Sequence, residues 1–278
     1  MGSLTGLIQQ MSGRRYQYYV DSVNGNDLNS GRLPSEALKT IGALPAITAG
    51  MRIGLARNSA WKEQLTIAAE RVTVGAYGTG TRPILDCSDA ILAGAWSKTG
   101  GLTNVYEASV SPDLAASKTW VSVWEDNARL VRATSTANCD ATPGSYYPSA
   151  DTGAAPITLY VHASDSSDPG ASGKVYEFSS RRYGLVSTAD RVSVTGIETR
   201  RNLHDDGSLV VKRYARITDV VCRDGTKHNL LYGGESILTG VIAQEAYYTG
   251  GPSSSMFVLN QNDANNENCT LVDRTSVV

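Results

Sequence analysis

An all-β protein built as a parallel β-helix is the fold class this sequence predicts, and three observations predict it. The first is a repeat. Arg191-Val-Ser-Val-Thr-Gly-Ile-Glu-Thr-Arg200 aligns with Tyr214-Ala-Arg-Ile-Thr-Asp-Val-Val-Cys-Arg223 and with Glu235-Ser-Ile-Leu-Thr-Gly-Val-Ile-Ala-Gln244, and more weakly with Asn268-Cys-Thr-Leu-Val-Asp273. Aliphatic Val194, Ile217, Leu238 and Leu271 hold one position of the repeat, at offsets of 23, 21 and 33 residues, and Ile197, Val220 and Val241 hold another in the first three copies. The second is a series of apolar pairs between the copies: Leu185-Val186, Val210-Val211, Leu230-Leu231 and Val258-Leu259. Two short aliphatic runs per period, punctuated by Gly, Asn and Asp, describe a coil of short strands. The third is what lies between the runs. Intervals such as Arg201-Asn-Leu-His-Asp-Asp-Gly207 are too short and too polar for the helices of an α/β sheet.

In a β-helix each coil pairs with the coils above and below at about 4.8 Å. Inward side chains then stack on their equivalents, so Val194, Ile217 and Leu238 should form one column. A single coil cannot bury its own apolar face, so several must stack.

Composition narrows the function. The net charge of −2, with 19% charged residues, removes the electrostatic case for nucleic-acid binding. Abundant glycine (27 residues) and 14 Tyr against 2 Phe suit a turn-rich β protein whose surface meets polar ligands such as sugars. Cys87, Cys139, Cys222 and Cys269 form no CxxC and read as small buried hydrophobes. No apolar run reaches the length of a membrane span. The N-terminus shows no charged region followed by an apolar core of the secretory type. Asn268-Cys-Thr270 fits the glycosylation pattern and reads as chance.

Four segments are expected: 1–15, 16–90, 91–175 and 176–278. In the first, Leu4, Leu7, Ile8 and Met11 place one apolar stripe on a short helix, which needs a partner surface to be stable. It reads either as a fraying terminus or as an anchor on another protein. Tyr18–Val20 enters a loop rich in Asx residues: Asp21, Asn24, Asn26, Asp27 and Asn29. The spacing fails the EF-hand pattern, with Val23 where a ligand oxygen belongs and no closing Glu. These side chains are therefore expected to cap their own turns. Pro34-Ser-Glu-Ala-Leu-Lys-Thr-Ile41 reads as a short helix whose Ala37, Leu38 and Ile41 plug the open end of the first coil. Met51–Leu55, Gln64–Ile67 and Arg71–Ala76 supply the early strands.

Tyr19-Val-Asp-Ser-Val-Asn-Gly-Asn-Asp-Leu-Asn-Ser-Gly31, Leu38-Lys-Thr-Ile41, Gly50-Met-Arg-Ile-Gly-Leu-Ala-Arg57, Trp61-Lys-Glu-Gln-Leu65 and Val74-Gly-Ala-Tyr-Gly-Thr-Gly80 resemble the opening of right-handed parallel β-helix proteins of the pectate-lyase-like superfamily. That group includes polysaccharide lyases, glycoside hydrolases and bacteriophage tailspikes. The resemblance covers residues 16–90 by motif and 176–278 by repeat, and its motifs are framework motifs. It implies a right-handed helix with an N-terminal capping segment. Residues 91–175 resemble the small antiparallel sheet that many relatives insert between early coils. Ala95–Glu107, Trp120–Val131 and Ile157–His162 read as its strands, with a hairpin turn at Glu125-Asp-Asn127 and loops at Pro143–Pro148 and Ser164–Gly170. Trp96, Trp120 and Trp124 are expected to pack its core.

No catalytic signature stands out. The best candidates follow the repeated strands. Arg200, Arg223 and Gln244 should stack as an outward column, close to His204, Asp205, Asp206, Asp224, Lys227 and His228. For a lyase, Lys227 or His228 would abstract a proton beside a uronate carboxylate and arginine would neutralise that carboxylate. For a hydrolase, Asp206 with Glu235 or Asp224 would form the carboxylate pair. The plainer reading is a solvated turn face, which is the default for charged turn residues.

Two functional readings follow. The first is a phage tailspike or receptor-binding protein, attached to the virion through the N-terminal segment and recognising or depolymerising bacterial surface polysaccharide. Relatives of that kind are usually homotrimers. The second is an extracellular bacterial polysaccharide lyase or glycoside hydrolase. No cofactor is expected; a divalent cation such as calcium remains open, though no motif supports one. The coil pattern runs to Val278, where either the protein is expected to continue or a partner to cover the last coil.

Overall fold

The computed structural model describes residues 15–115, 119–226 and 228–244, and the backbone of the strands Phe257–Leu259 and Thr270–Val272. Three parallel sheets run along it, visited in turn by every coil. Sheet I holds Tyr18–Val20, Arg52–Ala56, Thr73–Tyr77, Ser193–Thr195, Arg216–Thr218, Ile237–Thr239 and Thr270–Val272. Sheet II holds Ala60–Trp61, Ile84–Asp86, Glu198–Arg200, Val221–Arg223 and Ile242–Gln244. Sheet III holds Leu65–Ile67, Leu185–Ser187, Leu209–Val210, Leu230–Tyr232 and Phe257–Leu259. This is a right-handed parallel β-helix, the hand that parallel crossovers take.

The predicted column is present. Val194 pairs with Ile217 and Ile217 with Leu238, and the column reaches down through Val74 to Ile53. All five side chains are buried. Each aliphatic side chain so buried contributes about 1.5–3 kcal/mol. A second inward column, Leu65, Leu185, Leu209 and Leu230, lines sheet III.

The tight corner from sheet I to sheet II places Gly196, Asp219 and Gly240 at positive φ, residue types that enter that region at low cost. At the N-terminal end, the ring of Tyr16 lies over Gly54 and Gly75, where a Cβ would come within 2.7 Å and 2.5 Å of it. Tyr19 and Tyr77 complete the aromatic cap by edge contacts. The segment after Pro34 is a correction. Only Pro34–Glu36 is helical, as one 3-10 turn, and Leu38 continues extended to bridge Val20. Asp27 Oδ1 accepts the N–H groups of Lys39 and Thr40 and so holds the chain open. Ala37, Leu38 and Ile41 are nevertheless buried there. Asp21 accepts from Val23 and Asn24, so these Asx side chains cap turns.

Between Asp86 of sheet II and Leu185 of sheet III the second coil is interrupted. The excursion forms one sheet of Ser88–Ile91, Val123–Glu125, Ala128–Arg129 and Tyr176–Ser179, and a second of Ser97–Lys98, Tyr106–Val110, Val131–Arg132, Ser145–Pro148 and Ile157–His162. Pairing is antiparallel except between Val131–Arg132 and Ser145–Pro148. The turn at Asp126 and Asn127 forms with both residues at positive φ. Two expectations change. Ala95–Glu107 is not one strand but is broken after Lys98 by the Gly100-Gly101 turn, and Ser145–Pro148 is a strand that buries Tyr146. A short helix, Thr136–Ala141, capped by Ser135, was not legible. Trp124 is buried in this unit, and Trp96 packs edge-on against Tyr176. Cys87, Cys139 and Cys222 are free and buried. Among the described residues, no helix is long and apolar enough to cross a membrane.

Candidate functional site

The excursion leaves the helix at the corner between sheets II and III. The next two coils pass the same corner as Arg201–Ser208 and Asp224–Asn229. Arg201 and Asp224 turn the chain there at positive φ, each donating its N–H to the coil above, to the carbonyls of Arg223 and Gln244. Asn229 ties the second turn, accepting from the Gly225 N–H and donating to the Gln244 carbonyl. Thr226 donates to the Asn202 carbonyl and links the two turns.

Arg200, Arg223 and Gln244 do stack in register on sheet II. The two arginines are not open to a ligand carboxylate, however. Arg200 holds Asp86 at 2.7 Å. Arg223 holds Glu198 at 2.8 Å and Asp224 at 3.1 Å. Beneath them Arg201, 1% exposed as a side chain, pairs with Glu177, lies 3.8 Å from Asp86 and stacks 5.0 Å from the Trp124 ring. Lys62 reaches Glu177 from outside. Burial alone would lift the Asp86 carboxyl, but Arg200 and Arg201, with hydrogen bonds from Ser88, outweigh it and hold it below the ordinary carboxylate range. Glu177 is likewise lowered: burial opposes, and Lys62 and Arg201 prevail. This network fastens the inserted unit to the helix.

A second polar group lies beside it. His204 Nδ1 is 3.3 Å from Asp205 Oδ1 and 3.4 Å from Asp206 Oδ2, and the Asp206 N–H points at the same nitrogen from 3.2 Å. In one state Nδ1 accepts that N–H, and in the other it carries a proton toward the carboxylates. Tyr183 packs its ring 5.5 Å from the imidazole and donates its hydroxyl to Asp206 at 3.4 Å. Burial, and then Asp206, push the Tyr183 phenol up to about 12, so it keeps its proton at neutral pH. Thr119 of the inserted unit pairs with the backbone of His204 through an isolated antiparallel bridge. His204 and Asp205 are buried, whereas the Asp206 side chain is 35% exposed. The ligand atoms of His204, Asp205 and Asp206 lie within 4.8 Å of one another, a nitrogen–oxygen donor set able to hold a divalent cation.

The remaining candidates are dispersed. Asp224 is buried at the same corner, His228 is half-buried two residues before the next strand of sheet III, and Gln244 is exposed. Glu235 sits at the opposite corner, between sheets III and I, paired with Arg213 at 3.1 Å. It therefore shares no site with Asp206 or Asp224: a full strand of sheet III separates the two corners. Lys227 and the stripe Leu4, Leu7, Ile8 and Met11 lie outside the described residues. Sequence reasoning missed Tyr183, Asp86, Glu177 and Arg201. A signal existed for Tyr183, which precedes Leu185 as His228 precedes Leu230. None existed for Glu177, which arrives from the inserted unit.

No protein-family model matches the chain, and no curated protein matches it in sequence. Solved structures do match. The complex of XylC with xylose aligns with a TM-score of 0.59 and 15% identity, covering 85% of this chain and 43% of that one. A structure described as a glycoside hydrolase aligns with a TM-score of 0.56 and 10% identity, covering 85% and 68%. The chain thus spans less than half the length of XylC, and at these identities the likeness is one of fold.

Proposed function

We propose that this chain is the β-helical part of a polysaccharide-processing protein, with Asp206 as its working carboxylate. One observation carries the reading: an accessible Asp206 is held between the imidazole of His204 and the protonated phenol of Tyr183, at the edge of sheet III. A carboxylate so placed suits general acid–base or nucleophilic attack on a glycosidic bond. Hydrolysis is favoured over elimination, because Arg200 and Arg223, the groups that would neutralise a uronate, are already paired with protein carboxylates. The like-folded structures described as a glycoside hydrolase and as XylC with xylose support a glycan as the ligand class. An extracellular site of action goes with this reading.

The test is release of reducing or unsaturated ends from a panel of capsular, lipopolysaccharide and plant glycans. Hydrolysis of one glycan is expected, falling by about 10²–10⁴-fold in Asp206→Asn, with an unchanged melting temperature. Cleavage indifferent to Asp206→Asn overturns the assignment.

The narrower tailspike reading adds virion attachment through Leu4, Leu7, Ile8 and Met11, and a homotrimer facing bacterial surface polysaccharide. It draws no support from the like-folded structures. Light scattering with and without residues 1–15 tests it: an active monomer indifferent to their loss removes it.

A further inference from the structure

The corner between sheets III and I carries a feature that the proposed function does not use. Two residues before five of the strands of sheet I, from Arg52–Ala56 to Ile237–Thr239, the chain turns through positive φ: Gly50, then Arg71, Arg191, Tyr214 and Glu235, with φ of 77°, 59°, 60°, 58° and 58°. The five are stacked in register, since Arg52, Thr73, Ser193, Arg216 and Ile237 are paired partners. The N–H of each of the first four donates to the carbonyl just before its counterpart in the next coil: Glu70, Asp190, Arg213 and Gly234. Gly50 shows that glycine satisfies this turn, and the tight corner from sheet I to sheet II uses Gly196, Asp219 and Gly240. Long side chains in the left-handed region are strained, and such positions persist where the side chain has a task.

Four of those residues, Arg71, Arg191, Tyr214 and Glu235, with Arg216 of the adjoining strand, line an open groove of about 410 Å³. Arg191 and Arg213 lie 5.0 Å and 5.1 Å from the Tyr214 ring. The nearby charges are unequal in number and in pairing. Arg191 meets Glu70 at 3.3 Å, and Arg213 meets Glu235 at 3.1 Å. The side chain of Asp190 accepts the Arg213 backbone N–H. Arg71 and Arg216, both exposed, make no ion pair among the described residues. Two guanidiniums therefore face a sugar-sized groove with their forks unused, beside an aromatic ring and a carboxylate that can accept a hydroxyl.

We propose that this groove binds an anionic saccharide, its carboxylate or sulfate seated on Arg71 and Arg216 and its ring against Tyr214 and Glu235. The site is a binding subsite, one strand of sheet III away from Asp206. That the anion is carried by a sugar rests on the carbohydrate reading; the preference for an anion does not.

Calorimetric titration of the full chain with an oligoglucuronate, a sulfated dextran oligosaccharide and a neutral dextran of equal length tests it. Both anionic probes, or one of them, should bind more tightly than neutral dextran, and which one does so distinguishes a carboxylate from a sulfate ester. Affinity should fall as salt rises, and should drop about tenfold or more in Arg71→Gln/Arg216→Gln with an unchanged melting temperature. If the double variant folds poorly, the salt titration and the neutral probe on the unaltered chain decide. No preference over neutral dextran, or no loss in the well-folded double variant, overturns the proposal. Asp206→Asn should leave this affinity intact, so lost cleavage with retained anion binding separates the two assignments.

Discussion

Replacing Arg201 by Met should destabilise the protein more than a typical surface change, because it leaves two carboxylates short of their counter-ion. The methionine keeps the length of the stem and its contact with Trp124 and removes the guanidinium. Breaking a buried ion pair by removing one partner costs about 3–5 kcal/mol. Here the lower end applies: Asp86 keeps Arg200 at 2.7 Å, and Glu177 keeps Lys62, whose side chain is 42% exposed and well screened. A loss of about 3 kcal/mol at about 2–4 °C per kcal/mol lowers the melting temperature by about 6–12 °C. The pH dependence carries a sign. Asp86 and Glu177 are held below their ordinary range in the folded state, so their contribution is full above the unfolded values near about 4 and is lost as pH falls through the folded ones. The gap between the parent chain and Arg201→Met should therefore narrow below about pH 4. Urea denaturation followed by tryptophan fluorescence at pH 7 and pH 3 measures both. A gap under about 1 kcal/mol at pH 7, the range of an exposed pair, or a gap equal at the two pH values, would refute the reasoning.

Other consequences are as direct. Ile217→Ala empties the middle of the inward column between Val194 and Leu238 and should cost about 2–5 kcal/mol in urea denaturation. Gly207→Ala forces a Cβ to within 2.7 Å of the Asn229 carbonyl carbon at φ 116°, and soluble yield and melting temperature should both collapse. Burial pushes the Cys222 thiol up to about 12, so a maleimide at pH 7 should label it only after unfolding. Labelling of Cys222 in the native state would mean that the coil opens at that strand.

Much of the helical architecture was legible because it is periodic. Stacked coils require equal residues at equal positions, so Val194, Ile217 and Leu238, and Arg200, Arg223 and Gln244, could be paired by alignment alone. The site was only partly legible. His204 and Asp206 sit in one short turn and could be named together, but Tyr183, which completes the group, lies a coil away. Glu235 was offered as a carboxylate partner for Asp206, but sequence separation alone does not say which corner of a coil a residue occupies. The failed readings in the inserted unit, Ser145–Pro148 and the Gly100-Gly101 break, share one cause: there the chain pairs with irregular partners and no repeat guides the eye.

The residues themselves therefore determined the coil, its register and its inward columns, because a local period of apolar and turn residues suffices to specify stacked strands. Only the tertiary structure decided what the charges do. Asp86 meets Arg200 across 114 positions of chain, and Arg201 meets Glu177 because the excursion folds back over the corner it left. Electrostatic pairing depends on which distant segments arrive within a few ångströms, and that is set by the path of the whole chain.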